Sequence, residues 1–262
     1  MRVGFYQYKP VFGKVSKNLK KVVSVLSNIE ADLIVLPELA FTGYYFRDRK
    51  EVLQHAEDPT KSSSIDSLIA LCREKKFYLV SGFTEKRKDK CFNSSVLIGP
   101  EGLIHLYRKL HLFNTEKNCF DEGDTPLQVN TVMDCKIGMM ICFDWVFAEV
   151  SRNLALQGAD IICHPSNLVL SYCQQTMLTR SLENRVFSIT ANRTGLEKRP
   201  HGELKFTGKS QIVAPNGDLL YRAASQRENI YIMDIDPSNA RDKSITAQND
   251  VLEDRRPEYY SI

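Results

Sequence analysis

Residues 2–8 and 32–36 are short apolar runs that read as β-strands, and between them Leu19, Val22, Val23, Leu26 and Ile29 fall at the spacing of an amphipathic helix. This is a β-α-β unit. A second helix is predicted at about 61–75, where Ile65, Leu68, Ile69 and Cys72 recur at i, i+3, i+4 and i+7. A strand follows near 77–85, and then two strands joined by Gly99-Pro100-Glu101-Gly102, whose proline and glycines are turn chemistry.

The same order then returns. Lys136-Ile137-Gly138 echoes Arg2-Val3-Gly4, and Ala159-Asp160-Ile161-Ile162-Cys163-His164-Pro165 echoes Ala31-Asp32-Leu33-Ile34-Val35-Leu36-Pro37 at an offset of 128 (160 minus 32). A helix near 174–185 and a strand near 186–192 come next. The hairpin turn Ala214-Pro215-Asn216-Gly217 matches the earlier one, and each hairpin continues into Tyr-Arg, at 107–108 and 221–222. Only the first runs on into lysine. Residues 229–236 read as one more strand and 237–262 as a polar, charged tail. Two similar halves of strands and helices predict an α/β fold, a four-layer α-β-β-α sandwich with two sheets face to face and helices outside. No low-complexity linker divides the chain, so residues 1–262 are read as a single domain.

Bulk composition narrows the chemistry. With 35 basic and 32 acidic side chains the net charge is +3, and no dense Lys/Arg tract with interleaved aromatics is present, which argues against nucleic acid as a partner. No apolar run approaches the roughly 18 residues of a membrane span, and MRVGFYQYKP lacks a signal peptide's apolar region, so a cytoplasmic protein without membrane association is expected. The 7 cysteines are scattered without a C-x-x-C pair, which predicts reduced, unligated thiols and no metal site.

Three residues stand at predicted strand ends with chemistry to offer. Cys142 follows the apolar strand Ile137–Ile141 and precedes a helix carrying Val146, Val150 and Leu154, so a sharp turn would set its thiol at a helix N-terminus, where the dipole favours thiolate. Glu38 follows the strand 32–36 within Leu36-Pro37-Glu38-Leu39, an apolar setting that raises a carboxylate's pKa toward a general base's range. Lys109 ends the strand Leu103–Tyr107. Taken singly, such a cysteine is commonly core, such a glutamate a cap or ion-pair partner, and such a lysine solvated. Together they occupy the carboxyl ends of strands, where sheet-based sites gather. The repeat-related positions hold Ser166, Ala223 or Ala224, and Tyr8, so one composite site per chain is expected.

The chain resembles the nitrilase superfamily through Pro37-Glu38-Leu39 with Thr42-Gly43-Tyr44, Arg108-Lys109-Leu110-His111-Leu112-Phe113 and Ile141-Cys142-Phe143-Asp144-Trp145. His164-Pro165-Ser166-Asn167, Leu182-Glu183-Asn184-Arg185 and Gly208-Lys209-Ser210 extend the resemblance over about residues 2–260. It implies the same sandwich, a Glu-Lys-Cys triad on Glu38, Lys109 and Cys142, and hydrolysis of a non-peptide C–N bond without metal or organic cofactor. The family's second glutamate, seven residues after the lysine, falls on Glu116. Phe147-Ala148-Glu149 departs from the commoner Phe-Pro-Glu, at little expected cost because alanine suits a helix.

What the resemblance implies for substrate is a small amide, with nitrile, N-carbamoyl and acyl-transfer readings as alternatives. Basic residues after the cysteine, frequent in N-carbamoyl amino acid hydrolases, are replaced here by Phe143-Asp144-Trp145. Phe143, Tyr45, Trp145 and Asn167 are the expected substrate contacts, with Tyr44 and Phe46 as further aromatic lining. A homodimer or higher homo-oligomer is also implied, with the tail at 237–262 at its interface.

Overall fold

The computed structural model describes residues 1–260. Its first half runs β1 (Arg2–Gln7), α1 (Val15–Leu26), β2 (Leu33–Val35), α2 (Arg49–Leu53), α3 (Ser63–Lys75), β3 (Tyr78–Arg87), β4 (Lys90–Gly99) and β5 (Gly102–Arg108). The second half has β6 (Val129–Val132), β7 (Cys135–Met139), α4 (Ala148–Leu156), β8 (Ile161–Ser166), α5 (Cys173–Asn184) and β9 (Phe187–Asn192). It continues through β10 (Thr194–Arg199), β11 (Gly202–Thr207), β12 (Gln211–Val213), β13 (Leu219–Arg222) and β14 (Asn229–Asp234).

Two six-stranded sheets result, ordered β14-β1-β2-β3-β4-β5 and β6-β7-β8-β9-β12-β13. The orders superpose strand for strand. In each, three parallel strands lead into two antiparallel ones, and an antiparallel edge strand flanks the first. The edge strands are exchanged: β6, which follows the first half, joins the second sheet, and β14, which follows the second half, joins the first.

Each parallel strand is buried on both faces, which is why it reads as a continuous apolar run. Phe5, Leu33 and Val35 meet Ile137, Met139, Ile161 and Cys163 between the sheets, whereas Tyr6, Ile34 and Leu36 pack under Val22 and Leu26 of α1 and Leu68 and Cys72 of α3. At roughly 1.5–3 kcal/mol for each fully buried large aliphatic side chain, these two layers dominate the fold's stabilisation. Ser62 caps α3 by accepting from the Ile65 N–H, and Lys76 in the left-handed region ends it.

Several elements differ from the sequence reading. The hairpin β10–β11 and the short α2 lack apolar periodicity and were not expected. β7 ends at Met139 rather than Ile141. Beyond β14 the chain is more than a polar tail: Pro237 and Ala240 are buried in a 3-10 turn, and Ser244–Thr246 pairs with Asn249–Asp250. No helix among the described residues is long and apolar enough to cross a membrane.

Candidate active site

Glu38, Lys109 and Cys142 follow β2, β5 and β7, the strand ends that the sheets bring together. Lys109 Nζ lies 2.6 Å from Glu38 Oε1 and 2.8 Å from Glu116 Oε2, with all three side chains at most 4% exposed. Glu116 also accepts the Phe113 N–H at 2.9 Å, which holds the 3-10 turn Asn114–Asn118 against the lysine. Asn93, from mid-β4, donates to Glu38 Oε1 at 2.7 Å. Both donors therefore use one carboxylate oxygen, and Glu38 Oε2 is buried without a hydrogen-bond partner among the described residues.

Glycines make this approach possible. A Cβ on Gly82 of β3 would stand 2.3 Å from the Leu39 nitrogen and 2.5 Å from Glu38 Cα. One on Gly123 would stand 2.3 Å from the Arg108 carbonyl oxygen and 2.7 Å from that of Lys109. Both contacts are with backbone, so no rotamer change relieves them. Beneath Lys109, Arg108 reaches Glu85 through Nε at 2.9 Å and Nη2 at 2.5 Å, a buried bidentate pair that fixes the end of β5.

The turn at Cys142 is built differently from the expectation of a helix N-terminus. Cys142 opens a one-turn 3-10 segment, Cys142–Val146, and α4 begins only at Ala148. Its φ of 40° lies in the left-handed region, a strained position for a residue with a side chain and a frequent mark of functional sites. Asp144, fully buried, secures the turn. It accepts from the Ile141 N–H at 2.9 Å, the Tyr107 hydroxyl at 2.8 Å and the His111 N–H at 3.2 Å, with His111 Nδ1 at 2.8 Å. The nucleophile turn and the lysine's strand end are thereby joined. His164 of β8 stands 2.9 Å from the Cys142 carbonyl through Nε2; burial pushes its pKa down to about 4, so the ring is neutral.

Burial sets the protonation states. It raises the Glu38 pKa to about 7 against the opposing charge of Lys109. It would lower that of Lys109, but Glu116 and Glu38 outweigh it and keep the ammonium charged. Burial, with Glu38 nearby, pushes the Cys142 thiol well above its ordinary range, so the resting group is a thiol and not the thiolate a helix dipole would favour. The Asn167 backbone N–H acts in the opposite, smaller sense on that thiol.

The expected contact residues separate. Phe143, Trp145 and Asn167 line a narrow pocket at Cys142 together with Phe113, Leu168 and Val169. Tyr45 does not line it: its N–H bonds Glu197 at 2.5 Å and its ring packs on His201 of the β10–β11 turn. Tyr44 points inward instead, with burial and then Glu116, Glu38 and Cys142 holding its phenol protonated. Phe46 packs in a side core with Phe12 and Phe120. The repeat-related positions carry no such chemistry. The Lys109 N–H bonds the Asn93 carbonyl as the Ala223 N–H bonds that of Ser210, which identifies Ala223 as the lysine's counterpart.

A family model described as carbon-nitrogen hydrolase matches residues 2–243. A nitrilase of Pyrococcus abyssi is 41% identical over 263 residues, covering 99% of each chain. An (R)-stereoselective amidase of Pseudomonas sp. is 29% identical, covering 98% of this chain and 92% of that protein. Among solved structures, a Glu-to-Gln mutant of the amidase from Nesterenkonia sp. AN1, showing Michael addition of acrylamide at its active-site cysteine, superposes with a TM-score of 0.81 at 22% identity, covering 98% and 97% of the two chains. The chain belongs to the carbon-nitrogen hydrolase family, within the nitrilase superfamily.

Proposed function

We propose that the protein hydrolyses a small, uncharged amide through a thioester on Cys142. The observation that carries this reading is the unpartnered Glu38 Oε2, a buried base with a pKa of about 7, beside a protonated thiol. Glu38 takes the thiol proton as Sγ attacks the carbonyl carbon, and the carbonyl electron pair moves onto oxygen. Lys109 and the N–H of Phe143 hold that oxyanion; Phe143 lies in the first turn of the 3-10 segment, where N–H groups lack internal partners. Collapse breaks the C–N bond, Glu38 returns the proton to nitrogen, and ammonia or an amine leaves. Water then attacks the thioester, giving a proton to Glu38, and the C–S bond breaks as Glu38 passes that proton to Sγ, releasing the carboxylic acid and restoring the thiol. Glu116 positions Lys109 throughout.

The pocket favours a short acyl group. Its cavity volume is about 20 Å³, room for about one water, and no charged side chain lines it. The name of the Pyrococcus abyssi relative supports a second reading, a nitrile passing through a thioimidate. An ammonia-release screen over small amides, ω-amides, carbamoyl compounds and nitriles tests both. Turnover should disappear in Cys142→Ala together with the acyl adduct seen by intact mass, and ammonia release surviving that substitution would sink the assignment.

A further inference from the structure

The pocket at Cys142 is apolar apart from the nucleophile and Asn167. Asn167 is 2% exposed, and its Nδ2 donates to the main-chain carbonyl of Glu38 at 2.8 Å. That bond settles the orientation of the side-chain amide, because a carbonyl can only accept. The other branch, Oδ1, has no partner among the described residues. An acceptor left bare in an apolar site is costly, and it is retained where a ligand completes it.

Of the asparagine oxygens without a partner among the described residues, those of Asn93, Asn167, Asn184 and Asn229, only that of Asn167 belongs to a residue lining the pocket. In the mechanism proposed above Glu38 Oε2 takes the thiol proton as attack occurs, and from then on it is a donor that cannot accept from the substrate. Asn167 Oδ1 is then the acceptor available to a donor on the substrate. An amide nitrogen carries such a donor; a nitrile nitrogen and an ester oxygen do not.

Resting on the amidase reading, we propose that Asn167 Oδ1 accepts a hydrogen bond from the carboxamide N–H of the substrate, so that the site selects primary amides over nitriles and esters of the same acyl group. The selection works through the penalty for leaving Oδ1 unpaired when a donor-free substrate is bound. The anchor through Nδ2 ties this recognition to the segment bearing the base, so the residue that reads the leaving nitrogen also sits on the group that protonates it.

The test compares kcat/KM for a primary amide and for the methyl ester of the same acyl group, using the full chain and its Asn167→Ala variant. The amide-to-ester ratio should fall about 10-fold to 100-fold in the variant. An unchanged ratio overturns the proposal, and so do equal losses on both substrates, which a purely structural role for the Glu38 carbonyl contact would produce. Where the variant does not fold, binding to Cys142→Ser, which keeps a proton donor for Glu38 Oε2, decides: the primary amide should bind at least about 10-fold more tightly than its isosteric methyl ketone, and equal affinities overturn the assignment. Turnover persisting in Cys142→Ala would instead overturn the thioester mechanism, a result distinct from either ratio.

Discussion

Lys109 Nζ sits 2.6 Å from Glu38 Oε1, while the second oxygen of the same carboxylate has no partner among the described residues. One oxygen anchors and the other is free to work. The pairing also explains how a buried carboxylate stays ionisable near neutrality, since desolvation pushes its pKa up and the ammonium pulls it back to about 7.

Activity should follow that ionisation. Glu38 must be deprotonated to accept the thiol proton, so kcat/KM is expected to rise with pH through about 7 and level off above it. Glu38→Gln should lower it by about 10²–10⁴-fold. A wild-type pH–rate profile flat from pH 5 to 8 would remove Glu38 from the base role.

The same group predicts a stability difference of definite sign. Its folded pKa is raised above the usual carboxylate value of 4.5, so it favours the folded state below that value, and this contribution is lost as pH rises through about 7. The thermal midpoint of Glu38→Gln should therefore gain on that of wild type between pH 5 and 8. Differential scanning calorimetry across that range would show it, and a Glu38→Gln midpoint that falls relative to that of wild type with rising pH would contradict it.

Gly82→Ala should cost both stability and turnover. The added Cβ meets backbone of Leu39 and Glu38, so β3 or the base itself must move. We expect a loss of roughly 1–3 kcal/mol in urea unfolding, with kcat reduced at temperatures where the variant remains folded. Wild-type kcat in a folded Gly82→Ala protein would show that the approach is not required.

Asp144→Asn probes the nucleophile turn without touching substrate. The new amide sets a donor against groups that also donate, from Ile141, Tyr107 and His111. Destabilisation of about 1–3 kcal/mol is expected, together with slower alkylation of Cys142 by iodoacetamide. Unaltered alkylation kinetics would show that the turn holds its strained φ without the carboxylate.

The juxtaposition of Glu38, Lys109 and Cys142 was legible because each follows an apolar strand whose period is plain. Asn93 left a fainter trace: Asn93-Ser94-Ser95 is a polar run inside a strand whose other residues read as core, and all three are buried. Asp144 and the left-handed Cys142 left none, since a turn's φ in a non-glycine residue depends on contacts from distant segments. Tyr44 and Tyr45 were separable only by the course of a loop, where periodicity lapses. The setting of Cys142 differs from the sequence expectation for a related reason, because apolar spacing over 146–154 does not reveal that a 3-10 turn precedes the α-helix.

The exchanged edge strands bear on how the chain folds. β1 and its antiparallel partner β14 are separated in sequence by every strand of the second sheet. Neither half supplies all six strands of its own sheet, so the folding of each sheet is coupled to the other half of the chain.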